Sequence, residues 1–271
     1  VREKILKDRA LRPKLPACHA DRFLSLQSMK KFVVQSAADA KAFLEMPLDI
    51  YRKDTNYIRP LDKDIDEVFD PKTNKFFRHG ECERWLYRDE QGRAIGRLAV
   101  FVNKKYAQEQ PTGGIGFFEC IHDQQVANKM FDDAKSWLQE RGMEAMDGPI
   151  NFGERDRWWG LLVNGFDEPL YCMNYNPPYY QELFENYGFQ PYFHQLCFGM
   201  DVSTPLSDKM MRWHDYYAKH PDFSVRHIKK DELEKFAEDF CTVYNKAWAK
   251  HGGGKTMELK QAKLIFAKMK P

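Results

Sequence analysis

The stretch from residue 112 to residue 142 constrains the fold most, because it combines a strand pattern with an amphipathic helix pattern. "TGGIGFFECI" (112–121) has the apolar and aromatic content of a strand and three glycines at its entry. Asp123 is a suitable N-cap for the helix that follows, and Gly142 is a suitable C-terminal glycine. The apolar residues that recur at helical spacing are Val126, Met130, Ala134, Trp137 and Leu138.

Strand and helix signals also precede and follow this stretch. "KFVVQS" (31–36) predicts a strand, and "AADAKAFLEMPLDIY" after it predicts a helix that Pro47 interrupts. Residues 82–88 and 94–102 predict a hairpin with "DEQGR" as its turn. A short strand in "EAMDGPIN", a helix over 179–187 and two strands around 189–202 complete the predicted order.

The C-terminal part begins the same pattern again. Residues 206–219 predict a helix between two prolines, "FSVRHI" (223–228) predicts a strand, and two further helices follow. Asp231 and Glu234 have the spacing of a capping box. We therefore expect a disordered basic leader at 1–28, a domain over 29–204, a linker helix over 205–222, and the truncated start of a second domain over 223–271.

Composition excludes several classes of function. The net charge is +2, which gives no general attraction for nucleic acid, although residues 1–31 hold nine Lys and Arg and only three Asp and Glu. No apolar run reaches the roughly 20 residues that span a bilayer. The six cysteines are scattered without metal-ligand spacing, so we expect reduced thiols, no metal site and a cytoplasmic location.

The order of elements, with Tyr-Gly-Phe behind a short helix, resembles the GNAT superfamily of acyl-CoA N-acyltransferases. The resemblance covers residues 31–202 and is carried by "GFFECIHDQQVANKMFDDAKSWLQERGMEAMDGPIN" and "GLLVNGFDEPLYCMNYNPPYYQELFENYGF". These stretches are similar to a bacterial subgroup that often has two such domains in tandem. The resemblance implies an α/β (α+β) fold of the GNAT-like kind, with a mixed central sheet flanked by helices.

The resemblance also implies a site for acetyl-CoA or another acyl-CoA between two splayed parallel strands. The donor's amides would pair with the edge of the first of these strands, at Phe117, Phe118, Cys120 and Ile121. The pyrophosphate would lie at the start of the next helix, where free N–H groups favour anions. That start comprises Gln124, Gln125, Val126, Ala127 and Asn128. The family's glycine-rich phosphate loop is replaced here by "HDQQVAN".

Glu119 is the candidate general base, because burial in an apolar strand raises the pKa of a carboxylate towards neutrality. The alternative is a glutamate on a solvent-facing edge. For the general acid, the family's tyrosine position holds Phe184, which has no hydroxyl. Tyr180 lies one turn earlier and is our candidate, with Tyr179 and Tyr187 as substitutes; all three could instead be packing aromatics.

The long irregular segment 152–176 is expected to cover the acceptor side of this site. Candidate acceptor-binding residues are Asn151, Asp156, Trp158, Asn174 and Asn176. The sequence thus predicts an N-acyltransferase that acts on a small-molecule or peptide amine by direct attack, with no nucleic-acid or membrane partner and a possible homodimer. The alternatives are a catalytically inactive GNAT-like binding module and a Fem-like aminoacyl or peptidyl transferase.

Overall fold

A computed structural model of the chain describes residues 2–4, 29–105, 110–248 and 256–268. The chain divides into two compact units, Val1–Leu196 and Cys197–Pro271. The leader predicted at 1–28 lies outside the described residues, except for a three-residue strand at its start. The domain limits drawn from the sequence remain a prediction.

The first unit contains six strands and five α-helices among its described residues. The strands are β1 (Arg2–Lys4), β2 (Lys30–Val33), β3 (Gly80–Arg88), β4 (Ala94–Asn103), β5 (Thr112–Cys120) and β6 (Ala145–Asp147). The helices are α1 (Ala37–Glu45), α2 (Pro47–Ile50), α3 (Asp62–Phe69), α4 (Gln124–Gln139) and α5 (Tyr180–Tyr187), with a 3₁₀ turn at Lys75–Arg78.

These strands form one mixed sheet in the order β1-β6-β5-β4-β3-β2. Strands β2 to β5 are antiparallel neighbours, whereas β5 and β6 are parallel and are joined through α4. The parallel pairing extends from Thr112–Ala145 to Gly114–Asp147, where β6 ends. This arrangement confirms the predicted α/β fold with a mixed central sheet flanked by helices.

Helix α4 forms for the reasons that its sequence indicated. The Asp123 carboxylate accepts hydrogen bonds from the backbone N–H groups of Gln125 and Val126, which satisfies two of the free donors of the first turn. All five predicted apolar positions are buried. Gly142 follows the helix with φ of 77°, a conformation that glycine adopts without strain.

The sheet separates two sets of packed side chains. One face packs against α4 and α5 through the large core cluster, which includes Leu98, Ile115, Met130 and Phe184. We call this the α4 face. The opposite face, the α1 face, carries Phe43, Met46 and Leu86. Because both faces are covered by helices, side chains on either side of β4 and β5 are buried.

Gly116 lies where the chain that leaves β6 crosses β5. A Cβ atom at this position would lie 2.0 Å from the carbonyl oxygen of Ile150. The Ile150 N–H also donates to the carbonyl oxygen of Ile115 at 2.7 Å, which fixes the two segments at this separation. Of the three glycines at the entry to β5, Gly116 is therefore required by the close contact with the backbone of Ile150.

Replacement of Gly116 by alanine is expected to lower the free energy of unfolding by about 1–3 kcal/mol, the usual cost of overpacking. Neither backbone can move away without breaking the adjacent hydrogen bond. Urea unfolding measures the change. Gly142→Ala is the control, since its added Cβ meets nothing within 4 Å and costs only its left-handed backbone, about 1 kcal/mol. Equal losses in both variants would contradict the crowding at Gly116.

The two strands predicted around 189–202 are absent from the structure, so that prediction was wrong. Phe189 is buried beside Phe131 and Phe184, and Gly188 turns the chain with φ of 120°. Beyond Phe189, however, Gln190 forms only an isolated bridge, and residues 191–202 are irregular and exposed. Apolar and aromatic content alone does not form a strand, because a strand also needs a neighbouring strand to pair with.

The second unit consists of helices in its described part. These are α6 (Asp208–Lys219), α7 (Leu233–Trp248), which follows a 3₁₀ turn at Lys230–Glu232, and α8 (Leu259–Lys268). Helices α7 and α8 pack through Ala237, Ala262 and Phe266. The strand predicted at 223–228 is irregular, so that prediction was wrong too. No described helix of either unit is long and apolar enough to cross a bilayer.

Candidate functional site

Glu119 lies at the centre of a buried hydrogen-bonding cluster near the end of β5. Its Oε2 atom accepts hydrogen bonds from the hydroxyl of Tyr51 at 2.9 Å and from that of Tyr180 at 2.8 Å. Its Oε1 atom lies 3.3 Å from Nη2 of Arg97 in an ion pair that is almost completely buried. The structure thus brings together the two predicted catalytic residues, Glu119 and Tyr180, in direct contact.

An irregularity in β5 turns Glu119 towards Arg97. Between Ala99–Gly116 and Arg97–Glu119 the register shifts, so Phe117 and Phe118 together oppose one residue of β4. Phe117 has φ of 48°, the left-handed conformation of a β-bulge. In a regular strand Glu119 would share the α4 face with Ile115. The bulge gives that face to Phe118 and Cys120 and places Glu119 opposite Arg97 on the α1 face.

Arg97 is held by more than its ion pair. Its Nη1 atom donates to the carbonyl oxygen of Phe43 at 2.6 Å, and its guanidinium lies 4.8 Å from the centre of the Phe43 ring. Its Nε atom is buried and has no hydrogen-bond partner among the described residues. A charge in this position is stabilised mainly by the carboxylate opposite it.

The environment of Glu119 changes the pKa of its carboxyl group. Burial raises the pKa of Glu119 above its ordinary value of 4.5, while Arg97 and the hydroxyls of Tyr180 and Tyr51 act in the opposite direction. The pKa of Tyr180 is also raised, first by burial and then by the negative charge of Glu119. At neutral pH Tyr180 therefore keeps its proton, and Glu119 is a stronger base than an exposed carboxylate.

Tyr51 and Arg97 are site residues that the sequence did not reveal. Tyr51 directly follows α2, and its ring stacks on that of Tyr57 with the centres 3.9 Å apart. No known sequence motif marks a functional tyrosine after "PLDI", so Tyr51 could not be predicted. The pairing of Arg97 with Glu119 depends on the bulge at Phe117. When one strand contains a bulge, the residues that face each other across the two strands cannot be identified from sequence spacing alone.

The edge of β5 beyond the bulge is closed by two consecutive tyrosines. The Cys120 N–H donates to the hydroxyl oxygen of Tyr180 at 2.8 Å, and the Tyr179 hydroxyl donates to the Cys120 carbonyl oxygen at 2.7 Å. Ile121 donates its N–H to Ile95 on β4 instead of facing this edge. An acyl donor whose amide groups pair with β5 at Cys120 therefore has to displace the hydroxyls of Tyr179 and Tyr180.

The start of α4, predicted to bind pyrophosphate, is also engaged. The N–H groups of Gln125 and Val126 bind the Asp123 carboxylate, and the N–H of Ala127 binds the Asp123 carbonyl oxygen. The Gln124 amide donates to Asn128 and to the carbonyl oxygen of Leu183 on α5. This helix start therefore carries a negative charge where an anion was expected, and the predicted residue Gln124 ties α4 to α5.

The five candidate acceptor residues have different environments. Asn176 accepts from the N–H of Leu162 and donates to the carbonyl oxygens of Leu162 and Pro177, and the Asn174 amide donates to Gly160. These two residues therefore fix the long segment 152–176. Asp156 is exposed. The assignment of all five residues to acceptor binding remains a prediction.

The other two candidates, Trp158 and Asn151, are buried with unused polar atoms. Trp158 packs on Phe117 with the ring centres 5.2 Å apart, and its Nε1 has no partner among the described residues. The Oδ1 atom of Asn151 is likewise buried and without a partner in this part of the chain. Within the described residues, no cluster of three or more His, Cys, Asp and Glu side chains has a metal-binding arrangement.

Comparison with curated proteins finds relatives that are longer than this chain. It is 33% identical over 226 residues to a protein of Caulobacter vibrioides named bacterial ceramide synthase, an alignment that covers 81% of this chain and 58% of that protein. It is 25% identical over 219 residues to protein YghO of Escherichia coli, covering 79% and 55%. The chain thus spans little more than half the length of these relatives. No protein-family model matches it.

Among solved structures, the chain is similar to acetyltransferases of the GNAT family. An aminoglycoside 6′-N-acetyltransferase from Acinetobacter baumannii matches 64% of this chain and 99% of its own, with 10% identity and a TM-score of 0.40. A GNAT-family acetyltransferase from Staphylococcus aureus matches 43% of this chain and 69% of its own, with 11% identity and a TM-score of 0.33.

Proposed function

We propose that this chain is the catalytic part of an N-acyltransferase that transfers a fatty acyl group from acyl-CoA to the amine of a long-chain base. The observation that carries the proposal is the buried contact between Glu119 and Tyr180. In this contact a carboxylate of raised pKa and a protonated hydroxyl lie 2.8 Å apart near the end of β5.

The pair supports direct attack without a covalent enzyme intermediate. The amine nitrogen forms a bond to the thioester carbon, and the carbon–sulfur bond breaks. The proton lost by the amine passes to Glu119, and Tyr180 gives its own proton to the departing thiolate. Transfer along the Tyr180–Glu119 hydrogen bond then restores both residues, so that one proton moves from nitrogen to sulfur in each cycle.

The acceptor class comes from the curated relative. Ceramides are N-acylated long-chain bases, and the Caulobacter protein is named a ceramide synthase. The same amide-forming chemistry is what the Glu119 cluster supports. Because this chain spans 58% of that relative, the proposal concerns only the reaction at the Glu119 site and not the activity of the whole relative.

A second candidate is a binding module of the same fold that does not turn over its ligand. Two contacts expected of the donor are already made within the chain: Cys120 pairs with Tyr179 and Tyr180, and Asp123 occupies the start of α4. Under this candidate the Glu119 cluster is a structural ion pair of the core.

The test is an amide-forming assay with palmitoyl-CoA and sphinganine, followed by release of free CoA thiol and by mass spectrometry of the product. Thermal unfolding with and without palmitoyl-CoA is recorded in parallel, since a ligand at 100 times its Kd stabilises by about 2.7 kcal/mol. Amide product supports the transferase. Stabilisation without product, across sphinganine, spermidine and lysine methyl ester, supports the binding module.

The charge of Asp123 is expected to weaken the binding of acyl-CoA. Asp123→Ser keeps a capping oxygen but removes the negative charge, so the Kd for palmitoyl-CoA should fall about two- to fivefold, equivalent to about 0.3–1 kcal/mol. Titration calorimetry measures this change. Asp123→Ala is the control, because it removes charge and cap together and lowers stability by about 0.5–2 kcal/mol. An unchanged Kd in Asp123→Ser would place the phosphates away from α4.

A further inference from the structure

A cavity of about 220 Å³ lies at the end of β5, next to the Glu119 cluster. Its apolar lining comes from Met46 between α1 and α2, Ile50 of α2, Ala94 of β4 and Ile121 directly after β5, and the exposed Asp49 also lines it. At its rim the exposed ring of His122 stacks on Tyr179, with the ring centres 4.3 Å apart. The cavity is therefore mostly apolar inside and polar where it meets solvent.

The cavity lies close to Glu119, although Glu119 is not one of its lining residues. Met46, Ile50 and Ala94 belong to the packed cluster of the α1 face, which is the face that Glu119 occupies opposite Arg97. Ile50 precedes Tyr51, and Tyr179 precedes Tyr180, and both of these neighbours donate hydrogen bonds to the Glu119 carboxylate. A molecule whose reacting group contacts Glu119 can extend into this cavity over a distance of a few bonds.

We propose that this cavity binds the part of the acceptor's alkyl chain nearest its amine, an inference that rests on the acyl transfer proposed above. A dry cavity of about 150 Å³ accepts benzene, so the present volume is sufficient for several methylene groups. The general base must contact the amine, and Glu119 faces the same side of the sheet as the cavity. The acyl donor instead follows the edge of β5, where Tyr179 and Tyr180 lie.

The cavity therefore selects acceptors that carry an unbranched apolar chain next to the amine. Short or strongly polar amines leave Met46, Ile50 and Ile121 without apolar contact. Each methylene that the cavity removes from water strengthens binding, so affinity should increase with chain length until the cavity is full.

The test compares Ile50→Phe, which adds a ring inside the cavity, with Leu48→Phe, which adds the same ring on the exposed side of α2. The acceptors are n-alkylamines from butylamine to dodecylamine, with palmitoyl-CoA as donor. The ratio of kcat/KM for dodecylamine to that for butylamine should fall about tenfold in Ile50→Phe and stay at the wild-type value in Leu48→Phe. A substitution that lowers kcat/KM equally for both amines leaves this ratio unchanged.

Binding of the same amines is measured by calorimetry without donor, so that the inference and the proposed function can fail separately. If binding strengthens with chain length and Ile50→Phe weakens it, the cavity binds the alkyl chain of the amine. This result supports the inference even if no amine is acylated. Turnover whose chain-length ratio is the same in all three proteins overturns the inference and leaves the transferase intact. A ratio that changes with the donor's acyl length instead also overturns it, because the cavity would then hold the acyl chain.

Discussion

Replacement of Glu119 by glutamine is expected to lower kcat for amide formation at least 100-fold, within the range of about 10²–10⁴ that general bases contribute. Glutamine has the same shape and can still accept a hydrogen bond from Tyr51 or Tyr180. It cannot take a proton from the amine. The measurement is the palmitoyl-CoA and sphinganine assay, with substrate saturation checked so that kcat and KM are separated.

The control for this variant is Glu83→Gln, a second glutamate-to-glutamine change in the same unit, at a partly buried residue. Glu83 accepts hydrogen bonds from the indole N–H groups of Trp85 and Trp137, at 2.8 and 2.9 Å. Glutamine can accept from only one of them, so stability should fall while kcat stays at the wild-type value. If Glu119→Gln retains a third or more of the wild-type kcat, Glu119 is not the base.

The pH dependence of the reaction provides an independent check on the same residue. The base must be deprotonated to accept the amine's proton, and burial raises the pKa of Glu119 above 4.5. The wild-type kcat should therefore increase as the pH rises through that raised value. The residual rate of Glu119→Gln should lack this step, because no titrating group replaces the carboxyl.

The sequence was sufficient to predict the parts of the fold that depend on local patterns. The helix after Asp123, the hairpin of β3 and β4 and the strand β5 all follow from periodicity, caps and turns within a few residues of each other. The strands predicted over 189–202 do not form. Strand formation depends on pairing with a neighbouring strand, and the local sequence does not specify whether one is present. The same reason applies to residues 223–228.

The site was predicted less completely than the fold. Glu119 was singled out because a glutamate interrupts an apolar strand, and Tyr180 because it precedes Phe184 by one helical turn. The bulge at Phe117, which decides the face that Glu119 occupies, has no signal in "GGIGFFEC". Arg97 and Tyr51 reach Glu119 from 22 and 68 positions away in the chain, so only the folded sheet brings them together.

Replacement of Arg97 by methionine is expected to lower the free energy of unfolding by about 3–5 kcal/mol at pH 8, the usual effect of removing one partner from a buried ion pair. Methionine fills a similar volume, so the loss arises mainly from the uncompensated carboxylate of Glu119. The double variant Arg97→Met, Glu119→Gln should recover most of the stability, because it removes both charges. Urea unfolding of the wild type and the variants measures these differences.

The loss in Arg97→Met should depend on pH, with a sign fixed by the raised pKa of Glu119. A carboxyl group whose pKa is higher in the folded state contributes its stability fully below its unfolded value, about 4.5, and loses it as the pH rises through the folded value. Arg97 lowers the pKa of Glu119, so its removal raises that pKa further and lets the carboxyl protonate in mild acid. The variant should therefore lose less stability at pH 5 than at pH 8. Equal losses at both pH values would mean that packing of the Arg97 side chain against Phe43, and not its charge, holds this part of the site together.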